Sequence, residues 1–175
     1  MTNGDDLAWQ VLSTPIGALL VGASRDGVVA VHFEGRWDES IPRERPTNRR
    51  ALGMLRWACE ELDAYFAGAL RAFRVPCMAS GTAFQRHVWD ALREIPFGSV
   101  TSYRDIARRI GNPRSVRAVG AANGANPIPV IVPCHRVIGS DGTLTGFGGG
   151  LERKQWLLEH EGALPASLGL VRARA

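Results

Sequence analysis

Pro127, Pro129 and Pro133 break an apolar run that ends on Cys134-His135-Arg136. Proline fixes φ and has no N–H to give to a ladder, so this stretch is neither a central strand nor a regular helix. Its apolar content predicts burial. The run is therefore expected to be rigid and irregular, and to deliver one thiol to a fixed place. A lone buried cysteine ordinarily acts as a small hydrophobe. Here a histidine and an arginine follow at once, and a cationic neighbourhood lowers a thiol's pKa. That pattern predicts a reactive Cys134.

The chain before this run reads as a small α/β domain, residues 1–77. Strands are predicted at 8–13, 18–23 and 28–33, with a hairpin signal at Arg25-Asp26-Gly27. Residues 34–50 are charged and hold Pro42 and Pro46, which predicts a loop. Leu52, Leu55, Cys59, Leu62 and Phe66 then form a helical stripe closed by Gly68, which makes Cys59 a core residue. Residues 72–75 are expected as a fourth strand. Cys77 and the linker 78–82 have no assigned role.

A mainly helical domain, residues 83–162, is predicted next, with a loose tail at 163–175. Thr82 is placed to cap a helix burying Phe84, Val88, Ala91 and Leu92. Ser102-Tyr103-Arg104-Asp105 approximates a capping box. Gly111 stops that second helix. Asn112 is expected to cap a third, with Pro113 at its first position. Helix, tight turn, helix is the helix-turn-helix signature.

The charge is concentrated here. Arg104, Arg108, Arg109, Arg114, Arg117 and Arg136 lie between Thr101 and Arg136 with a single acid, Asp105. A confined basic patch is the footprint of a phosphate-backbone partner. The helix after the turn runs Arg117-Ala-Val-Gly-Ala-Ala-Asn-Gly124. Base readout in a major groove needs several long polar side chains. Small residues around one arginine suit close approach to a narrow groove, with the long side chain as a wedge. The bland alternative is close helix packing.

The last helix, about 151–160, faces the core with Leu157 and Leu158. Glu161 projects from the same side, and an inward carboxylate needs a partner. His135 is the natural one. Cysteine, histidine and acid form a nucleophile, base and orienter. A cysteine hydrolase uses the same order of residues. Against it stand the sequence adjacency of Cys134 and His135, which favours a bridging water over direct contact, the lack of an evident oxyanion donor set, and the basic helix-turn-helix.

Ile131-Val132-Pro133-Cys134-His135-Arg136-Val137-Ile138-Gly139 closely resembles the active-site segment of the O6-alkylguanine-DNA alkyltransferases, the methylated-DNA–protein-cysteine methyltransferases. Phe84-Gln85, Val88-Trp89 and Ile95-Pro96-Phe97-Gly98 resemble the same family, and Thr14-Pro15-Ile16-Gly17 does so more weakly. The resemblance implies DNA repair by direct damage reversal. Cys134 would take the alkyl group from O6-alkylguanine, and from O4-alkylthymine, irreversibly and once, after the nucleotide is flipped out of the duplex. It implies that Tyr103 protonates the departing base, that Asn126 holds the thiol-bearing segment, and that backbone groups of Cys134, Val137, Phe147 and Gly148 read the guanine. Arg117 would fill the gap left by the flipped nucleotide. Ser115, Gly120, Tyr103 and Arg136 complete the expected DNA-contacting set. Where Phe147 and Gly148 stand, relatives often carry tyrosine and, in some cases, serine.

The expected partner is double-stranded DNA carrying O6-alkylguanine, held in the minor groove without sequence readout. No cofactor and no metal is expected, since His32, Cys59 and Cys77 lack metal-site spacing. No membrane segment is expected, and the chain is read as a cytoplasmic monomer. A lesion-binding protein without chemistry would lack the acceptor cysteine. A regulator carrying an alkyltransferase domain would need a further domain.

Overall fold

The structure is a computed structural model and describes residues 7–37, 41 and 48–164. The chain divides into two compact units. One runs to Ser80 and takes in Pro127–Ile131; the other holds Gly81–Asn126 and resumes at Val132.

In the first unit, β1 (Ala8–Leu12), β2 (Leu19–Ser24) and β3 (Gly27–Phe33) form an antiparallel sheet in the order β1-β2-β3. The β2–β3 hairpin turns where Arg25-Asp26-Gly27 predicts it. Gly27 has φ +154°, and a Cβ there would run into the Pro76 carbonyl, so only glycine fits. Helix α1 (Arg49–Phe66) packs against all three strands. Asn48 caps it, its side chain accepting from the N–H groups of Arg50 and Ala51.

The buried stripe of α1 is Ala51, Leu55, Ala58, Cys59, Leu62 and Tyr65. Leu52, expected on it, is 40% exposed. One residue is about 100° around a helix, so a stripe through Ala51 excludes its neighbour. Residues 72–75 do not form the expected fourth strand. Glu61 on α1 takes the Arg74 and Val75 N–H groups at 2.9 and 3.0 Å, which removes them from any ladder. The segment meets the sheet just beyond, in one parallel bridge between Cys77 and Val28, with Val28 N–H donating to the Pro76 carbonyl and Met78 N–H to the Val28 carbonyl. Val31 N–H donates to the Pro127 carbonyl at 2.9 Å, which ties the proline-rich run to β3. Pro42, Pro46 and residues 165–175 lie outside the described residues.

In the second unit, α2 (Ala83–Arg93) opens on a capping box between Thr82 and Gln85 and buries Val88, Trp89, Ala91 and Leu92. Phe84 is only half-buried. Trp89 takes the inner place, donating Nε1–H to the Ala122 carbonyl at 2.9 Å. Two short strands unforeseen in the sequence, β4 (Thr101–Ser102) and β5 (Val137–Ile138), pair in parallel. Helix α3 (Tyr103–Arg109) starts at Ser102, whose hydroxyl accepts from Asp105 N–H. Gly111 ends it at φ +74°. Helix α4 (Val116–Gly124) begins later than Asn112 and Pro113 predict. The Asn112 carbonyl instead accepts from Ser115 N–H and Oγ–H, which closes a turn before the helix. Helix α5 (Leu151–His160) completes the unit. Among the described residues no helix is long and apolar enough to cross a membrane.

Candidate active site

Cys134 opens a single 3-10 turn, Cys134–Arg136, whose three side chains are all buried. Residues in a 3-10 turn fan out by about 120° each. Neighbours in sequence therefore diverge, and the site is completed from other elements.

His135 and Arg136 both turn to Glu161, the C-cap of α5. His135 Nε2 lies 2.8 Å from Glu161 Oε1, with both side chains fully buried. Arg136 closes a fork on the same carboxylate, Nε to Oε2 at 2.8 Å and Nη2 to Oε1 at 2.9 Å. Its Nη1 donates to the Ile95 carbonyl at 2.6 Å. Arg136 is 6% exposed. It was expected among the DNA contacts, and the structure corrects this: a guanidinium spent on a buried acid is not available to a phosphate.

Burial alone would raise the Glu161 pKa, but the hydrogen bonds and charges of His135 and Arg136 outweigh it and hold the carboxyl at about 2. Burial lowers the His135 pKa despite Glu161, so at neutral pH the ring is uncharged. A carboxylate only accepts, so Nε2 carries the ring's proton. Nδ1 is then a bare acceptor, and it is buried with no hydrogen-bond partner. The ring therefore has a free acceptor at Nδ1.

The thiol differs from the sequence expectation. Burial pushes Cys134 up to about 11, with Asn126 and the Lys154 charge opposing it only in part. The resting group is a thiol. The adjacent His135 is neutral and Arg136 is neutralised by Glu161, so sequence adjacency to cations does not make a thiolate here. A base has to do it.

Lys154 was not foreseen. It is 0% exposed, and its Nζ donates to the Val137 carbonyl at 2.6 Å and the Thr145 carbonyl at 2.8 Å. Burial lowers its pKa to about 8. It stands at the spacing that flags Glu161, since residues 154, 157, 158 and 161 share one side of a helix.

Around the thiol, Asn126 Nδ2 donates to the Val132 carbonyl at 2.8 Å. Asn123 Nδ2 reaches the Cys134 carbonyl at 3.4 Å. Tyr103 donates its hydroxyl to the Thr145 carbonyl at 3.1 Å. Burial raises the Tyr103 pKa, so the phenol stays protonated. Tyr103 also lines a cleft with Arg104, Val116, Ser140, Asp141 and Thr143.

The backbone groups expected to read guanine are partly engaged. Cys134 N–H donates to the Val132 carbonyl, and Val137 N–H to the Cys134 carbonyl. The Cys134 carbonyl thus accepts from both Val137 N–H and Asn123 Nδ2, which uses its two lone pairs, while the Val137 carbonyl accepts from Lys154 Nζ. Phe147 is half-buried and Gly148 exposed. On α4, Arg117 is exposed, as are Arg104, Arg108, Arg109 and Arg114. Gly120 has no neighbour nearer to a built Cβ than Tyr103 Cδ1 at 3.9 Å, and Ser115 is the N-cap residue. Among the described residues no three His, Cys, Asp or Glu side chains gather as a metal site.

Two family models match the chain: the ribonuclease-like domain of 6-O-methylguanine DNA methyltransferase at residues 7–78, and the DNA-binding domain of the same enzyme at residues 83–163. A methylated-DNA–protein-cysteine methyltransferase of Methanosarcina acetivorans is 44% identical, over 89% of this chain and 98% of its own. One from Mycolicibacterium paratuberculosis is 47% identical, over 94% and 98%. The crystal structure of a Mycobacterium tuberculosis OGT in complex with DNA superposes with TM-score 0.79 at 42% identity, over 92% of this chain and 97% of that one. On these matches the chain belongs to the 6-O-methylguanine DNA methyltransferase family, and it is an enzyme of that class.

Proposed function

We propose that the chain repairs DNA by transferring the alkyl group of O6-alkylguanine, and of O4-alkylthymine, to Cys134, once per molecule. The observation that carries this reading is the buried set in which Glu161 fixes the His135 tautomer and leaves Nδ1 bare. In the proposed step His135 Nδ1 takes the thiol proton through a water. Sγ attacks the alkyl carbon in line, the S–C bond forms and the C–O6 bond breaks. The departing base keeps the electron pair and takes a proton from Tyr103. Lys154 supplies a buried positive charge that favours the developing thiolate. Asn126 steadies the segment before the thiol. Val137, Phe147 and Gly148 would frame the guanine.

DNA would lie on α3 and α4, whose exposed arginines suit phosphates. The small residues of α4 suit close contact with a minor groove, independent of sequence. Ser115 and Gly120 would meet the backbone, and Arg117 would fill the space of the flipped nucleotide. DNA bound to a solved relative supports this partner. A thioether is a poor leaving group, and Cys59 is buried in the other unit, so the transferred group is expected to stay. The chain is expected to act as a monomer.

The test is a titration of excess duplex bearing one O6-methylguanine against a known amount of protein, with mass spectrometry of the product. One methyl on Cys134 per repaired lesion is expected, and a duplex bearing O4-methylthymine is expected to behave alike. More than one lesion repaired per molecule overturns the stoichiometry. Repair by a Cys134→Ser chain overturns the nucleophile.

A further inference from the structure

Asn123 is a polar side chain where an apolar one would pack. It lies in the last turn of α4 and is 2% exposed. Its Nδ2 points to the Cys134 carbonyl at 3.4 Å, while its Oδ1 is buried without a partner. The assignment of the two amide atoms follows from chemistry: a carbonyl oxygen accepts, so the nitrogen must face it. A half-satisfied amide in a dry interior is costly, and an apolar residue of similar shape would be tolerated better. What Asn123 offers in return is a link. Three residues on, Asn126 holds the Val132 carbonyl, so one end of α4 grips the backbone on both sides of Pro133. The same helix end is pinned from behind by Trp89 at Ala122.

We propose that Asn123 is a positioning residue for alkyl transfer. With Asn126 it forms a two-amide clamp that sets the thiol's place from the helix that carries Arg117, so that docking of α4 and the aim of Sγ are one adjustment. The inference rests on Cys134 being the alkyl acceptor. It makes Asn123 dispensable for folding and for DNA binding, yet needed for the transfer step.

The experiment measures transfer from methylated duplex at increasing DNA concentration, which separates the maximal rate from the half-saturating concentration. Asn123→Leu should melt no lower than the parent chain and should bind DNA within about twofold. Its maximal rate should fall about tenfold, the size of one lost hydrogen bond at the transition state. Asn123→Asp supplies a second readout. Buried, its carboxyl is held toward the neutral form, which donates to the Cys134 carbonyl as the amide does. The ratio of the Asp rate to the Leu rate should therefore rise as pH falls from about 8 to about 6. A Leu variant that transfers as fast as the parent, or that loses rate only in step with melting temperature or DNA affinity, overturns the clamp. So does an Asp-to-Leu ratio flat with pH. A parent chain that places no methyl on Cys134 is a different result, and removes the underlying functional reading itself.

Discussion

Glu161 Oε1 stands 2.8 Å from His135 Nε2, with neither side chain exposed to solvent. The carboxylate thereby decides which nitrogen of the ring is free to act. Arg136 shares the same carboxylate, so one acid engages both the ring and the guanidinium.

Glu161→Gln should therefore lose both. Breaking one side of a buried ion pair costs about 3–5 kcal/mol, and a neutral amide no longer dictates the His135 tautomer. Thermal melting and the transfer rate should fall together. In the parent chain the carboxyl sits at about 2 against an ordinary 4.5. An unfolded chain then takes up this proton first as the solution is acidified. The stabilisation is complete above about 4.5 and is lost as pH falls toward 2, by about 3 kcal/mol in all. Acid titration of melting temperature should show that loss in the parent and lack it in the Gln chain.

Lys154→Met should slow transfer at neutral pH by about tenfold or more, because the thiol loses a favourable charge. The lysine sits at about 8, so the support it gives Cys134 fades as pH rises through that value. Site-resolved iodoacetamide labelling of Cys134 should rise less steeply with pH above about 8 in the parent chain than below it. The Met chain should label more slowly and show no such break. Identical profiles would deny Lys154 any part in tuning the thiol.

Arg117→Ala should slow repair in duplex DNA by roughly tenfold to a hundredfold, since an extruded base costs a few kcal/mol to hold out of the stack. Reaction with free O6-benzylguanine, which needs no flipping, should be nearly unchanged. Equal slowing of both would refute the wedge.

Methylation of Cys134 should lower the melting temperature by a few degrees. The thiol is 4% exposed, and an added methyl in a filled site costs about 1–3 kcal/mol. Calorimetry of protein before and after stoichiometric reaction tests this. An unchanged or raised melting temperature would mean that the site holds room for the product.

Much of this is legible in the sequence wherever a period or a turn residue carries it. The three strands, the Gly68 and Gly111 stops and the inward side of Glu161 all follow from spacing. Lys154 follows from the same spacing, but a lysine invites a surface reading, and only the backbone carbonyls of Val137 and Thr145 make its burial tolerable. Arg136 misleads for the opposite reason, because a run of positive charge does not say which member folds inward. The thiol misleads through its neighbours: His135 is held neutral by burial and Arg136 is spent on Glu161, so two residues that read as cations give Cys134 no net charge. Residues 72–75 have the composition of a strand and lose that role to one glutamate side chain. Asn123 has no sequence signal beyond being polar on the side of α4 that holds Val119 and Ala122.

The proline-rich run has a consequence for synthesis. Val31 in β3 finds its acceptor at Pro127, and Pro127–Ile131 belongs to the first unit although both flanks belong to the second. The N-terminal sheet, made first on the ribosome, thus awaits a piece that is translated about ninety residues later. A nascent chain halted before residue 127 would leave β3 with an unanswered amide and an uncovered flank, so the two units cannot mature strictly in order of translation. Separate expression of residues 7–80 would leave the same gap permanently open.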